Sequence, residues 1–152
     1  MPPNFFKALS QNKILIITLS VWGIAQGLKV FRGIIREKRL DFRWFIGTGG
    51  MPSSHAAGAT ALATTCGLEF GFDSVEFALA AVFAMVTMFD AQGVRRSTGQ
   101  QAVVLNRIMD DIYWKGNIEV DRLKEFIGHT PIQVFIGAML GLILALMFYD
   151  AW

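Results

Sequence analysis

Apolar and polar positions along this chain separate into long blocks. Apolar runs extend over Ile14 to Ile35, Val75 to Phe89 with an extension towards Val94, and Pro131 to Tyr149. At about 1.5 Å per residue, runs of this kind are long enough to cross a bilayer core as helices. Between the first two lies a run of small residues from Ala56 to Gly67, entered through Gly49-Gly50-Met51-Pro52. The helix there is predicted to start near Ser53 or Ser54, either of which can cap it, and to end near Phe70. Ala57, Ala61 and Thr65 stack at spacing four, as do Ala56, Thr60 and Thr64. Small faces on more than one side place this helix in the middle of a bundle. The last run has Thr130 as predicted N-cap, Pro131 at the first helical position and Gly137 with Gly141 as a packing face.

Two regions follow a different pattern. Residues 1–13, with Phe5 and Phe6, read as an amphipathic lead at the membrane interface. From Gln100 to Trp114, Leu105, Ile108, Met109 and Ile112 share one helical face, and Asn106, Arg107, Asp110 and Asp111 share the other. A second amphipathic piece, Ile118 to Ile127, stops at Gly128. Residues 98–128 thus form an amphipathic insert between the third and fourth spans. The expected fold is all-α: one membrane domain over residues 1–152, a polytopic bundle of about four spanning helices with one or two interfacial amphipathic helices.

Composition strengthens that reading. Of the 152 residues, 53% are hydrophobic, above the usual range for a soluble domain. The net charge of +2 says little, but twelve of the fourteen Lys and Arg lie between Lys29 and Arg43 or between Arg95 and Lys124. Such blocks beside apolar runs indicate a membrane face, not nucleic acid. Lys7 and Lys13 precede the first run as in a signal peptide, yet no small-x-small cleavage site follows, so retention is expected. The loops after spans one and three carry the cations, which predicts both termini outside and both motif loops in the cytoplasm. The expected location is a bacterial inner membrane; a homo-oligomer is left open. Cys66, the single cysteine, excludes an intramolecular disulfide and reads as a packing residue.

This topology draws the ends of helices one and three and the starts of helices two and four to one membrane face. Lys29, Arg36, Ser53, Ser54, His55, Arg95, Arg96 and His129 can surround one pocket there. Lys29 and Arg36 are seven apart, within about 20° of one helical face. Imidazole exchanges protons near neutral pH, and guanidinium and ammonium groups neutralise phosphoryl oxygens. One histidine can attack phosphorus while the other protonates the leaving alcohol. The sequence has no Cys/His metal framework, and no metal or cofactor is expected.

The quoted residues also carry a family resemblance. Lys29 to Arg36 has the spacing of a Lys-x6-Arg-Pro motif, with Glu37 for proline. Pro52-Ser53-Ser54-His55 is similar to Pro-Ser-Gly-His, and His129-Thr-Pro-Ile-Gln133 looks like the end of Ser-Arg-x5-His-x3-Asp. The three motifs belong to the type 2 phosphatidic acid phosphatase superfamily, which includes vanadium-dependent haloperoxidases. Asp90-Ala-Gln-Gly-Val-Arg95-Arg96, Gly99-Gln-Gln-Ala and Gly128-His-Thr-Pro resemble its divergent branch of small membrane proteins, with Arg95-Arg96 as the displaced motif arginine. The resemblance implies a metal-independent phosphatase for a lipid phosphate or diphosphate, with His129 as nucleophile and His55 as general acid. Lys29, Arg36, Ser53, its neighbour Ser54, and Arg95 or Arg96 would hold the phosphate. Gln133 stands where the family pattern has the aspartate that orients and charges the nucleophile. The analogous carboxylate-to-amide change in a catalytic triad costs about four orders of magnitude in turnover. Asp90 or Glu125 could supply the missing carboxylate. A second reading follows from Gln133: a lipid-phosphate-binding or scaffold protein with weak or no turnover.

Overall fold

The computed structural model describes residues 4–38, 50–113 and 128–152. Among them all regular structure is α-helical: α1 (Phe5–Ser10), α2 (Lys13–Glu37), α3 (Ser54–Phe70), α4 (Val75–Gln92), α5 (Val94–Tyr113) and α6 (Pro131–Asp150). The chain forms a membrane helix bundle. Among the described residues three helical stretches are long and apolar enough to span, Lys13–Arg36, Val75–Asp110 and Pro131–Asp150. The expected fourth, α3, has 17 residues, about 25 Å of helix, and lies between the others. Short α1 buries no residue and leaves Phe6 exposed, as an interfacial lead would.

Local chemistry fixes the helix starts. Asn12, Ser53, Ser74 and Thr130 each occupy an N-cap, with the side-chain oxygen accepting a backbone N–H from the first turn. Gly93 closes α4, its N–H donating to the Phe89 carbonyl. Helix α5 begins one residue later, six residues before the amphipathic pattern starts at Gln100. A single glycine is the whole break, so the sequence around Arg95 and Arg96 belongs to a helix and not to a loop. The piece from Ile118 to Ile127 lies outside the described residues.

Helix α3 is central because its side chains are small. Ala57 and Ala61 pack with Ile17, Val21 and Ala25 of α2 and Ala145 of α6. On another side Ala59, Ala63 and Cys66 meet Ala80 and Ala84 of α4. Helix α6 runs parallel to α3: Gly137 lies over the Ser53 backbone, Gly141 lies over the Ala57 backbone, and the Tyr149 hydroxyl reaches the Leu68 carbonyl at 3.1 Å. A Cβ on Gly137 or Gly141 would run into a carbonyl oxygen of α3. Backbone contact at this range gives close packing where lipid offers no hydrophobic driving force between helices.

The bundle has two unlike ends. At one, the Lys13 ammonium lies 3.4 Å over the Tyr149 ring, joining the start of α2 to the end of α6. At the other, α3 and α6 both begin and α2 and α4 both finish. Both histidines are at this second end.

The packing predicts opposite outcomes for two kinds of glycine. Gly141→Ala should destabilise the folded protein by about 1–3 kcal/mol through overpacking against rigid backbone. Gly27→Ala, with open space around it, should be neutral or stabilising by up to about 1 kcal/mol from helix propensity. Denaturant titration of the purified protein in mixed micelles reads both; equal effects of the two substitutions would contradict the close approach.

Candidate functional site

Two backbone hydrogen bonds assemble the site. The Ser53 N–H donates to the Gln133 carbonyl at 3.2 Å, joining the start of α3 to the first turn of α6. The His129 N–H donates to the Ala91 carbonyl at 3.0 Å, holding the residue before that turn against the end of α4. Ala56, Ala91 and Val134 pack beneath as a small apolar floor. The result places the His55 and His129 rings with centroids 6.4 Å apart, tilted at 60°.

His129 is buried at 3% exposure, and its ring has a defined neighbour. Gln133 Oε1 accepts from the Thr130 N–H at 3.0 Å while the Gln133 N–H donates to Thr130 Oγ1 at 3.4 Å, a capping box. A backbone N–H can only donate, so this bond identifies the side-chain atom as oxygen and not amide nitrogen. The same oxygen lies 3.4 Å from His129 Nδ1. Nδ1 therefore faces an acceptor.

Opposing influences act on the His129 proton. Burial lowers its pKa from the ordinary value; the Gln133 contact raises it; the charges of His55 and Lys29 lower it; and the Gly50 carbonyl, an acceptor for the protonated ring, raises it. The net shift is downward, which favours a neutral imidazole at neutral pH. Gly50 approaches with φ at +87°, and a Cβ there would lie 3.2 Å from Lys29 Cγ. Only glycine meets both demands readily. The turn thereby lets the half-buried Lys29 pass against Gly50, close enough for its charge to act on His129.

The other expected residues are placed as follows. Ser53 is fully buried, and its hydroxyl accepts the Ala56 N–H at 3.3 Å as the α3 cap. Ser54 is buried beside it. Arg36 is exposed in the last turn of α2, about 10 Å along the helix from Lys29. Asp90 is half-buried next to Ala91, whose carbonyl anchors His129. Arg95 and Arg96 belong to the first turn of α5, with their side chains outside the described part, and Glu125 lies outside it too. His55, Lys29, His129 and Gln133 are the side chains brought together. The carbonyls of Gly50 and Ala91 were not foreseen, because a backbone acceptor carries no sequence signature. The Gln133 cap had one, the spacing Thr130-x-x-Gln133. Among the described residues no group of three His, Cys, Asp or Glu is placed to hold a metal ion.

The arrangement is a buried, neutral-leaning imidazole with a second imidazole and an ammonium beside it. The N-termini of α3 and α6, the positive ends of two parallel helix dipoles, stand at the same face. Such a site suits an anion that must also exchange protons.

Comparison with known proteins agrees with this architecture. An uncharacterized membrane protein of Bacillus subtilis, YuiD, is 43% identical over 150 residues, covering 91% of this chain and 95% of its own length. No solved structure matches the chain. The family model described as the divergent PAP2 family matches residues 10–144, a stretch that contains both histidines, Lys29, Gln133 and the two glycines of the α3–α6 contact, and the chain is a member of that family of membrane proteins.

Proposed function

We propose that the protein hydrolyses a lipid phosphate or diphosphate through a phosphohistidine on His129. The observation that carries this reading is the paired imidazoles, 6.4 Å apart beside Lys29, at an end of the bundle where two helix N-termini meet. With Nδ1 protonated towards Gln133 Oε1, Nε2 holds the lone pair. Nε2 forms the bond to phosphorus as the P–O bond to the lipid alcohol breaks, and His55 delivers a proton to the departing oxygen. Water then attacks the phosphohistidine with His55 accepting its proton, and inorganic phosphate leaves. Lys29 and the α3 N-terminus balance charge on the phosphoryl oxygens. Arg36, Arg95 and Arg96 complete the cation set as the phosphate arrives, and Ser53 contributes by capping the helix that aims at it. The proposed setting is a bacterial inner membrane with the site towards the cytoplasm.

Gln133 supports orientation without charge. It can hold the His129 tautomer, which explains how an amide replaces a carboxylate at this position, but it leaves the imidazolium character of the transition state uncompensated. A slow enzyme is the consequence. The alternative, a binding protein without turnover, is favoured by this one feature.

Phosphate release by the purified protein from phosphatidate, phosphatidylglycerophosphate and polyprenyl phosphates tests the reading. His129→Ala should abolish release and His55→Ala should lower it by about 10²–10⁴-fold. Wild type that releases nothing from the whole panel would favour the binding-protein alternative.

The pH dependence has a definite sign. Attack needs neutral His129, whose pKa is held below the ordinary value by burial, so the acid limb of kcat/KM should fall below about pH 6.5. The limb reports the histidine pair and not one ring alone. Gln133→Glu keeps the capping box and adds a negative charge next to Nδ1, so it should move the limb to higher pH and raise kcat; Gln133→Ala should lower kcat at every pH. Unchanged profiles in both variants would remove Gln133 from the mechanism.

A further inference from the structure

The imidazole of His55 faces two ways. Besides standing opposite His129, it forms one wall of a groove of about 320 Å³ that continues down the bundle between α2, α3 and α4. Thr18, Leu19 and Trp22 of α2, Leu62 of α3, and Phe83 and Thr87 of α4 line it further along. Leu62 lies seven residues past His55, about 10 Å further from the phosphate end. Leu19, Trp22 and Phe83 are 56%, 44% and 57% exposed, so the groove opens sideways on a surface that faces lipid in a membrane bundle. Trp22 closes in on α3 because residue 58 is glycine: a Cβ there would lie 3.3 Å from the Trp22 Cβ. The Thr87 hydroxyl donates to the Phe83 carbonyl of its own helix at 2.8 Å, which satisfies it locally.

Polarity therefore changes in one direction along the groove. One end has an imidazole, with Lys29 and His129 beyond it; the other is walled mainly by hydrocarbon, with the Thr18 hydroxyl buried there without a hydrogen-bond partner among the described residues, and opens to the bilayer. A lipid phosphate has the same order of parts. A water-soluble phosphate ester would fill only the His55 end. One turn of a partner helix, about 10–12 Å across with its side chains and about 5.4 Å long, fills roughly 400 Å³ or more, above the 320 Å³ of the groove. The volume lies at the low end for small-molecule sites, enough for a segment of one chain while the rest of the lipid stays in the membrane.

We propose that this groove seats the head-proximal segment of one hydrocarbon chain of the lipid phosphate, and that Trp22 and Phe83 are its specificity-determining walls. The inference rests on the lipid-phosphate reading of the histidine site, but it concerns binding and holds with or without turnover.

A phosphatidate bearing a diazirine partway along one acyl chain, photolysed with the full-length protein in lipid nanodiscs, tests it. Labelling should concentrate on Leu19, Trp22, Leu62 or Phe83. Unlabelled phosphatidate should compete, whereas diacylglycerol of the same chains and glycerol 3-phosphate should compete poorly. Thr87→Trp and Leu62→Trp, which fill the groove from two different helices, should each reduce that labelling at least about tenfold, with helix content and labelling of the α6 outer face at wild-type levels as the control for folding. Labelling spread evenly over the lipid-facing helices, or unchanged in both variants, would overturn the groove assignment. If the protein also turns over, the ratio of kcat/KM for phosphatidate to that for a soluble phosphate ester should fall at least about tenfold in the same variants, and an unchanged ratio would overturn the assignment. Specific groove labelling with no turnover of any substrate would sustain this inference and reject the phosphatase.

Discussion

The contact between α3 and α6 is the constraint on which the rest depends. Gly137 and Gly141 let the α6 backbone lie directly on Ser53 and Ala57, and only at that separation can the Ser53 N–H reach the Gln133 carbonyl. That bond sets the two parallel helices in register, with the start of α3 against the first two turns of α6. His55, one residue into α3, and His129, two residues before α6, then face one another. A methyl group on Gly137 would press on Ser53 and one on Gly141 on Ala57, one turn deeper, and each would act on the site by separating the two helices.

Electrostatics at this end follow from the register. Burial drives His129 towards its neutral form, and the neighbouring cations act in the same direction, while Gln133 and the Gly50 carbonyl oppose them. In the proposed mechanism, a nucleophile kept neutral by burial needs no carboxylate to be available; it needs one only when it becomes cationic. Gln133 therefore separates two roles that an aspartate would combine. Orientation is kept through the capping box with Thr130, and charge compensation is given up.

Much of this was legible in the sequence because it depends on local chemistry. Ser53 and Thr130 can be read as caps, Pro131 as a first helical residue and Gly137 with Gly141 as a packing face, since each answers a demand set within a few residues. The gathering of Lys29, His55 and His129 also followed, from the number of spans and the positions of the loops. What escaped reading depends on distant backbone. Nothing in Ala91 or Gly50 announces that its carbonyl will meet His129, and nothing in the single residue Gly93 shows that α5 will resume at Val94. Ser53 illustrates a third case: a hydroxyl expected at a phosphate is fully buried and also serves as the α3 cap, accepting the Ala56 N–H. The groove beyond His55 needed α2, α3 and α4 in place before its walls could be recognised.

The proposed hydrolysis requires His129 to carry the phosphoryl group between lipid and water. Incubating the protein with a lipid phosphate labelled at phosphorus, quenching in alkali and mapping the labelled peptide tests it most directly, since phosphohistidine survives base and is lost in acid. The account predicts acid-labile label on His129, accumulating further in His55→Ala if water attack becomes the slower step. Turnover by the wild-type protein with label on another residue, or with no covalent label under any quench, would contradict it.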